Sequence, residues 1–93
     1  MPLFDWDDTK ALRNFQKHGI TFDEARSVFD DPLSITTSDP LHSDDEDRWI
    51  DIGVSIKGRL LLVVYIERGN RVRIISCRKA TPTEQRKYEE GYF

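Results

Sequence analysis

No apolar run in this chain approaches the ~20 residues that a helix needs to cross a bilayer, so no membrane-spanning helix and no membrane partner are expected within it. The opening residues 1–6, Met-Pro-Leu-Phe-Asp-Trp, carry neither a basic cluster nor an extended apolar stretch. No secretion signal is therefore expected, and the expected location is the cytoplasm. Cysteine is nearly absent. The lone Cys77 excludes an internal disulfide and suits a reducing compartment, where it reads as a small apolar residue. There is no glycine-rich phosphate loop, and neither a Ser-His-Asp nor a Cys-His signature. His42 lies among Asp39, Asp44, Asp45, Glu46 and Asp47, but the alternating ligands and fixed glycine of a calcium loop are missing. That segment reads as an acidic loop facing solvent or a partner, and neither a metal nor a cofactor is expected.

Ninety-three residues are enough for one domain with one modest core, spanning 1–93. The net charge of −3 conceals a division. Residues 1–47 hold four Lys/Arg against twelve Asp/Glu, whereas residues 48–93 hold ten against five. A basic second half points to an anionic partner, and the acidic first half argues against indiscriminate nucleic-acid binding.

Local signals give the element order. Phe4 and Trp6 alternate around Asp5 as a short edge strand. Asp7 or Asp8 caps a helix that runs to about residue 17, with Gly19 placed for a left-handed end. At 100° per residue, Lys10, Arg13, Asn14, Lys17 and His18 share one arc and Leu12 and Phe15 the opposite side, which predicts a basic polar face and an apolar core face. Thr21 and Glu24 form a capping-box pattern that opens a second helix, ended by Asp31-Pro32. Strands are predicted at 33–37, 48–56 and 59–66, with a tight turn at Lys57-Gly58. The run Leu60 to Val64 is apolar without alternation, as in a central strand covered on both faces. After a turn at residues 68–70, Arg71 to Lys79 alternates arginine with aliphatic residues. Thr81-Pro82-Thr83-Glu84 then caps a last helix. The fold class is α+β: a small antiparallel meander packed by an N-terminal helical pair and a C-terminal helix, with the helices on one side of the sheet.

Two clusters carry candidate chemistry. Lys17-His18 at a helix end suits a general base or a group that orients a ribose hydroxyl, although the residues alone favour a histidine that meets the terminal carbonyls while Lys17 stays in solvent. Arg48, Arg68, Arg71, Arg73 and Arg78 lie on consecutive strands, and guanidinium groups meet phosphate in a fixed fork. Strict alternation sets Arg73 and Arg78 on opposite faces unless a bulge intervenes. Arg78 is otherwise placed to pair with Glu84. Tyr88 reads as a packing residue.

Several strings together resemble the BrnT family of toxins: Phe4-Asp5-Trp6-Asp7 with Lys10 and Asn14, Lys17-His18-Gly19-Ile20, Phe22-Asp23-Glu24-Ala25, Asp31-Pro32, Asp47-Arg48 with Gly53, Leu60 to Val64, Glu67-Arg68-Gly69, Arg73 to Arg78, Ala80-Thr81, Glu84 and Tyr88-Glu89. Cys77, where the family usually has alanine, and the short tail 91–93 depart from the pattern. The resemblance implies a RelE/ParE-like fold and a ribonuclease toxin of a type II toxin–antitoxin module; the basic helix face and the arginine strand, with no metal ligands beside them, add the expectation that cleavage is endonucleolytic and metal-independent. The resemblance also implies a ribbon-helix-helix antitoxin that neutralises the toxin and mediates its only contact with operator DNA. By matching position it implies Lys17, His18, Arg48, Glu67, Arg68, Arg73 and Arg78; of these Lys17, His18, Glu67, Arg73 and Arg78 are the catalytic candidates, and Arg48 and Arg68, with Lys10 and Arg71 from the basic surface, the RNA-binding ones. In the implied reaction a ribose 2′-hydroxyl attacks the adjacent phosphate, His18 or Glu67 takes the proton, and the cations stabilise the developing charge. The competing readings are a non-catalytic nucleic-acid-binding module and a toxin that blocks a protein target such as gyrase.

Overall fold

A computed structural model describes residues 2–39 and 47–93. The elements are strand β1 (Leu3–Asp5), helices α1 (Asp8–His18) and α2 (Phe22–Ser27) with a 3-10 turn Val28–Asp30, strands β2 (Ile35–Ser38), β3 (Arg48–Val54), β4 (Leu60–Arg68) and β5 (Arg71–Lys79), and helix α3 (Pro82–Glu90). Cap chemistry sets the helix ends. Asp7 accepts the Lys10 N–H at 3.0 Å to start α1, and Gly19 ends it at φ 71°, a left-handed conformation that costs glycine little. At α3 the predicted capping box is complete, with Pro82 in the first turn. At α2 only half of it forms: Thr21 accepts the Glu24 N–H at 3.1 Å, while the Glu24 carboxylate turns away to Ser55 and Arg59.

The five strands form one sheet in the order β1-β5-β4-β3-β2. β2 to β5 are antiparallel neighbours in chain order, as the meander predicts. β1, however, pairs with β5 in parallel, Leu3 opposite Arg71 and Asp5 opposite Arg73, so the sheet is mixed rather than purely antiparallel. The last strand of a meander leaves an open edge, and residues 3–5 cover its start.

β4 supplies the core on both faces. Leu61, Val63 and Tyr65 join Ile20, Phe22, Ala25 and Val28 from the α1–α2 segment. Leu62, with half-buried Leu60 and Val64, joins Ile35, Ile52, Ala80 and the α3 residue Tyr88. Helices therefore lie on both sides of the sheet, not on one, because a strand apolar on both faces needs cover on both. A second expectation also fails. Leu12 and Phe15 are 58 % and 49 % exposed, while Asn14, from the polar arc, is 7 % exposed. α1 does not lay an apolar face on the sheet. It lies against β5 where β1 has ended, and there a polar side chain is needed: Asn14 accepts the Cys77 N–H at 3.0 Å and donates to the Ile20 carbonyl at 3.1 Å.

Candidate active site

One irregularity in β5 arranges the site. Val64 opposes Ser76 but Tyr65 opposes Ile74, which leaves Ile75 as the extra residue of a bulge. Before it, Val72 and Ile74 face the α1–α2 core and Arg71 and Arg73 face the other way. After it, Cys77 faces that core, so Ser76 and Arg78 share the face of Arg73. The objection from strict alternation is thereby removed. Three cross-strand rows cover this face: Arg48, Ile66 and Arg73; then Ile50, Val64 and Ser76; then Ile52, Leu62 and Arg78. Directly opposed residues in such rows are in side-chain contact range.

The last turn of α1 reaches the same face past the β5 edge. A depression of about 460 Å³ is lined by Lys17 and His18 from α1, by Ser76 and Arg78 from β5, by Ile50, Leu62 and Val64 as a floor, and by Asp39 and Glu84. A second depression of about 220 Å³ adds Lys10, Arg13, Asn14 and Ile75 beside Lys17, His18 and Ser76. Lys17, His18 and Arg78, three of the five predicted catalytic residues, thus share one depression, and Lys10 lies in its neighbour.

Carboxylates restrain most of the arginines. Arg78 donates to both Glu84 oxygens, at 2.8 and 2.9 Å, and to the Lys79 carbonyl at 3.2 Å. The Arg78 pairing holds the Glu84 carboxyl below the usual carboxylate range despite its partial burial, and it raises the guanidinium in turn. Arg73 and Arg71 both reach Asp5, at 3.3 and 3.4 Å, and Arg48 Nε stands 3.5 Å from Asp39. Lys17 makes no ion pair or hydrogen bond among the described residues. Cys77 is fully buried, and burial pushes its thiol up to about 12, so it backs the site as a packing residue.

Three candidates lie elsewhere. Glu67 opposes Val72 on the α1–α2 face, five residues along β4 from Leu62 and therefore about 17 Å away. That position separates it from His18 and Arg78, because strand parity turns its side chain to the other face. Arg68 and Arg71 oppose each other at the far end of the same hairpin. Arg73 and Arg48 stay on the site's face but one and two rows beyond the depression's floor and its Arg78 end. Sequence reasoning gave no role to Ser76 or to the floor residues Ile50, Leu62 and Val64. The consecutive pair Ile74-Ile75, which breaks the alternation of β5, is the signal that finds Ser76. His42, Asp44, Asp45 and Glu46 lie outside the described residues. Among the described residues no group of three or more His, Cys, Asp or Glu side chains is placed to hold a metal.

The family model described as "Ribonuclease toxin, BrnT, of type II toxin-antitoxin system" matches residues 6–84. Among solved structures, the crystal structure of the Brucella abortus ribonuclease toxin BrnT superposes with a TM-score of 0.64 at 23 % identity, covering 87 % of this chain and 99 % of that one. At that identity the superposition speaks for the fold. No curated protein matches the sequence.

Proposed function

Because the chain belongs to the BrnT family of ribonuclease toxins of type II toxin–antitoxin systems, we propose that the depression between α1 and the sheet is where it cleaves RNA, as an endonuclease that needs no metal. The observation that carries this reading is the β5 bulge, which turns Ser76 and Arg78 to the face that Lys17 and His18 reach from α1. In the proposed step the 2′-hydroxyl attacks the adjacent phosphorus and the bond to the 5′-oxygen breaks. His18 takes the 2′ proton, solvent supplies one to the departing oxygen, and a cyclic phosphate remains. Lys17 and Arg78 stabilise the charge on the non-bridging oxygens. A guanidinium has five N–H donors, and the three bonds that Arg78 makes to Glu84 and Lys79 leave two for a phosphate. Glu67 takes no part, and Arg48 and Arg73 extend the cationic face for RNA beyond the cleaved bond.

The wider reading goes beyond the family's description. The chain acts as one toxin domain of RelE/ParE-like type in the cytoplasm, halts translation and growth, and is held by a ribbon-helix-helix antitoxin with which it represses its own operon. No helix among the described residues is long and apolar enough to cross a membrane. The test is cleavage of a defined RNA by purified protein with and without EDTA. Cleavage that persists in EDTA and falls by about 10²–10⁴ in His18→Ala is the expected result. Loss of cleavage in EDTA would overturn the metal-free step. RNA binding without any cleavage would favour a non-catalytic module.

A further inference from the structure

The two depressions beside α1 meet. Lys17, His18 and Ser76 line both, so they form one groove with a waist at those three residues. Its arms differ in chemistry. Along α1, Lys10, Arg13 and Lys17 fall within about 60° of one another around the helix and are exposed, which makes a cationic track. Across the sheet the floor is aliphatic, with Leu62 buried and Ile50 and Val64 half-buried, and Asp39, Arg78 and Glu84 line the same arm.

A ligand that suits both arms carries regular negative charge on one side and a flat apolar surface on the other. Double-stranded RNA presents phosphates while its bases stay stacked and paired, so it has nothing to lay on an aliphatic floor. A lone nucleotide would leave the α1 track empty. A single strand satisfies both arms, as it does in grooves that track a backbone while accepting unstacked bases.

We infer that the groove takes single-stranded RNA, with its backbone along Lys10, Arg13 and Lys17, one unstacked base against Ile50, Leu62 and Val64, and the phosphate between them at the waist. The Ser76 hydroxyl, which makes no hydrogen bond among the described residues, donates there to a non-bridging oxygen. The floor side chains carry no donors or acceptors, so hydrogen bonds to base edges fall to Asp39, Arg78 and Glu84, which line the same arm. The inference rests on the nuclease reading only in making the waist phosphate the one that is cleaved.

Binding is measured by fluorescence anisotropy with a mixed-sequence 2′-O-methyl octamer, which attack by a 2′-hydroxyl cannot cleave, alone and annealed to its complement. The single strand is expected to bind at least tenfold more tightly. In the double variant Lys10→Ser/Arg13→Ser, the slope of log K against log salt is expected to become shallower by about 1.4, at about 0.7 for each phosphate that the variant no longer neutralises. Ile50→Thr, which keeps a β-branched residue in the strand, is expected to weaken binding several-fold with the slope unchanged. Equal affinity for the two forms, or an unaltered slope in the double variant, would overturn the assignment. If the single strand binds as described while unmodified RNA is left intact, the nuclease reading falls and the groove assignment stands. If unmodified RNA is cut while both forms bind alike, the groove assignment falls alone.

Discussion

Glu24 is the buried carboxylate from which the β3–β4 hairpin hangs. Ser55 donates to it at 2.7 Å, Arg59 Nε at 2.9 Å, and a second Arg59 nitrogen completes a bidentate pair. The Arg59 bonds, helped by Ser55, hold its carboxyl below the usual range although burial opposes this. Removing one partner of a buried pair costs about 3–5 kcal/mol, and Arg59 retains some access to water, so Glu24→Ala is expected to cost about 2–3 kcal/mol in urea unfolding. A loss below about 0.5 kcal/mol would mean that the hairpin does not depend on it. Gly53 is constrained differently. A Cβ there would meet Val28 Cγ1 at 2.9 Å and Ser34 Cβ at 3.0 Å, and Val28 is fully buried. Gly53→Ala is expected to destabilise by about 1–3 kcal/mol through overpacking, and an unchanged midpoint would show that the 3-10 turn yields. The sequence exposes Glu24 as a helix-start residue but not its partners, which lie 31 and 35 residues away.

Among the elements, α3 binds the site to the rest of the fold. Glu84 closes the capping box with Thr81 and simultaneously grips Arg78, so one carboxylate starts a helix and orients a candidate catalytic group. Four residues on, Tyr88 packs on the second core cluster and donates to Asp31 at 2.7 Å, a bond that with burial pushes the phenol up to about 12. Asp31 also accepts the Leu33 and Val54 N–H groups at 2.9 and 2.8 Å, and so ties the turn before β2 to the end of β3. Thr81→Ala leaves the Glu84–Arg78 pair in place and removes a cap, so a loss of about 1 kcal/mol with cleavage retained is expected. Cleavage abolished along with the cap would show that the Glu84 orientation depends on the capping box. The helices, hairpins and caps were legible because each is written in contiguous residues. The facing of α1 was not, because Leu12 and Phe15 made the usual amphipathic assignment and only the need of the Cys77 N–H for an acceptor reverses it.

Across the whole molecule, buried and paired carboxylates set the response to pH, and they act in opposite directions. Glu24 and Glu84 are held below 4.5, so their stabilisation is present above that value and is lost as pH falls through their folded values. Asp51 behaves in the reverse way. Burial raises its carboxyl above 3.8 against the Thr36 and Tyr65 hydroxyls that donate to it at 2.8 Å, so its contribution is complete below 3.8 and is lost as pH rises. The stability of Asp51→Asn relative to the parent is therefore expected to improve from about pH 4 to about pH 8 in thermal unfolding, and parallel curves would contradict this. The parent itself is expected to lose stability below about pH 4.5 as Glu24 and Glu84 take up protons.

The sequence by itself determined where the chain turns, caps and alternates, that β4 is apolar on both faces, that cations gather in the second half, and which family motifs run through it. These follow from bonds and steric preferences between residues a few positions apart. The tertiary structure alone decided that β1 joins in parallel, that Asn14 rather than Leu12 faces inward, that Glu67 points away from the site, and that Ile75 bulges so Arg78 turns toward His18. Each of these depends on which distant strand edge or buried polar group requires a partner, a balance of pairing and burial that only the assembled sheet sets.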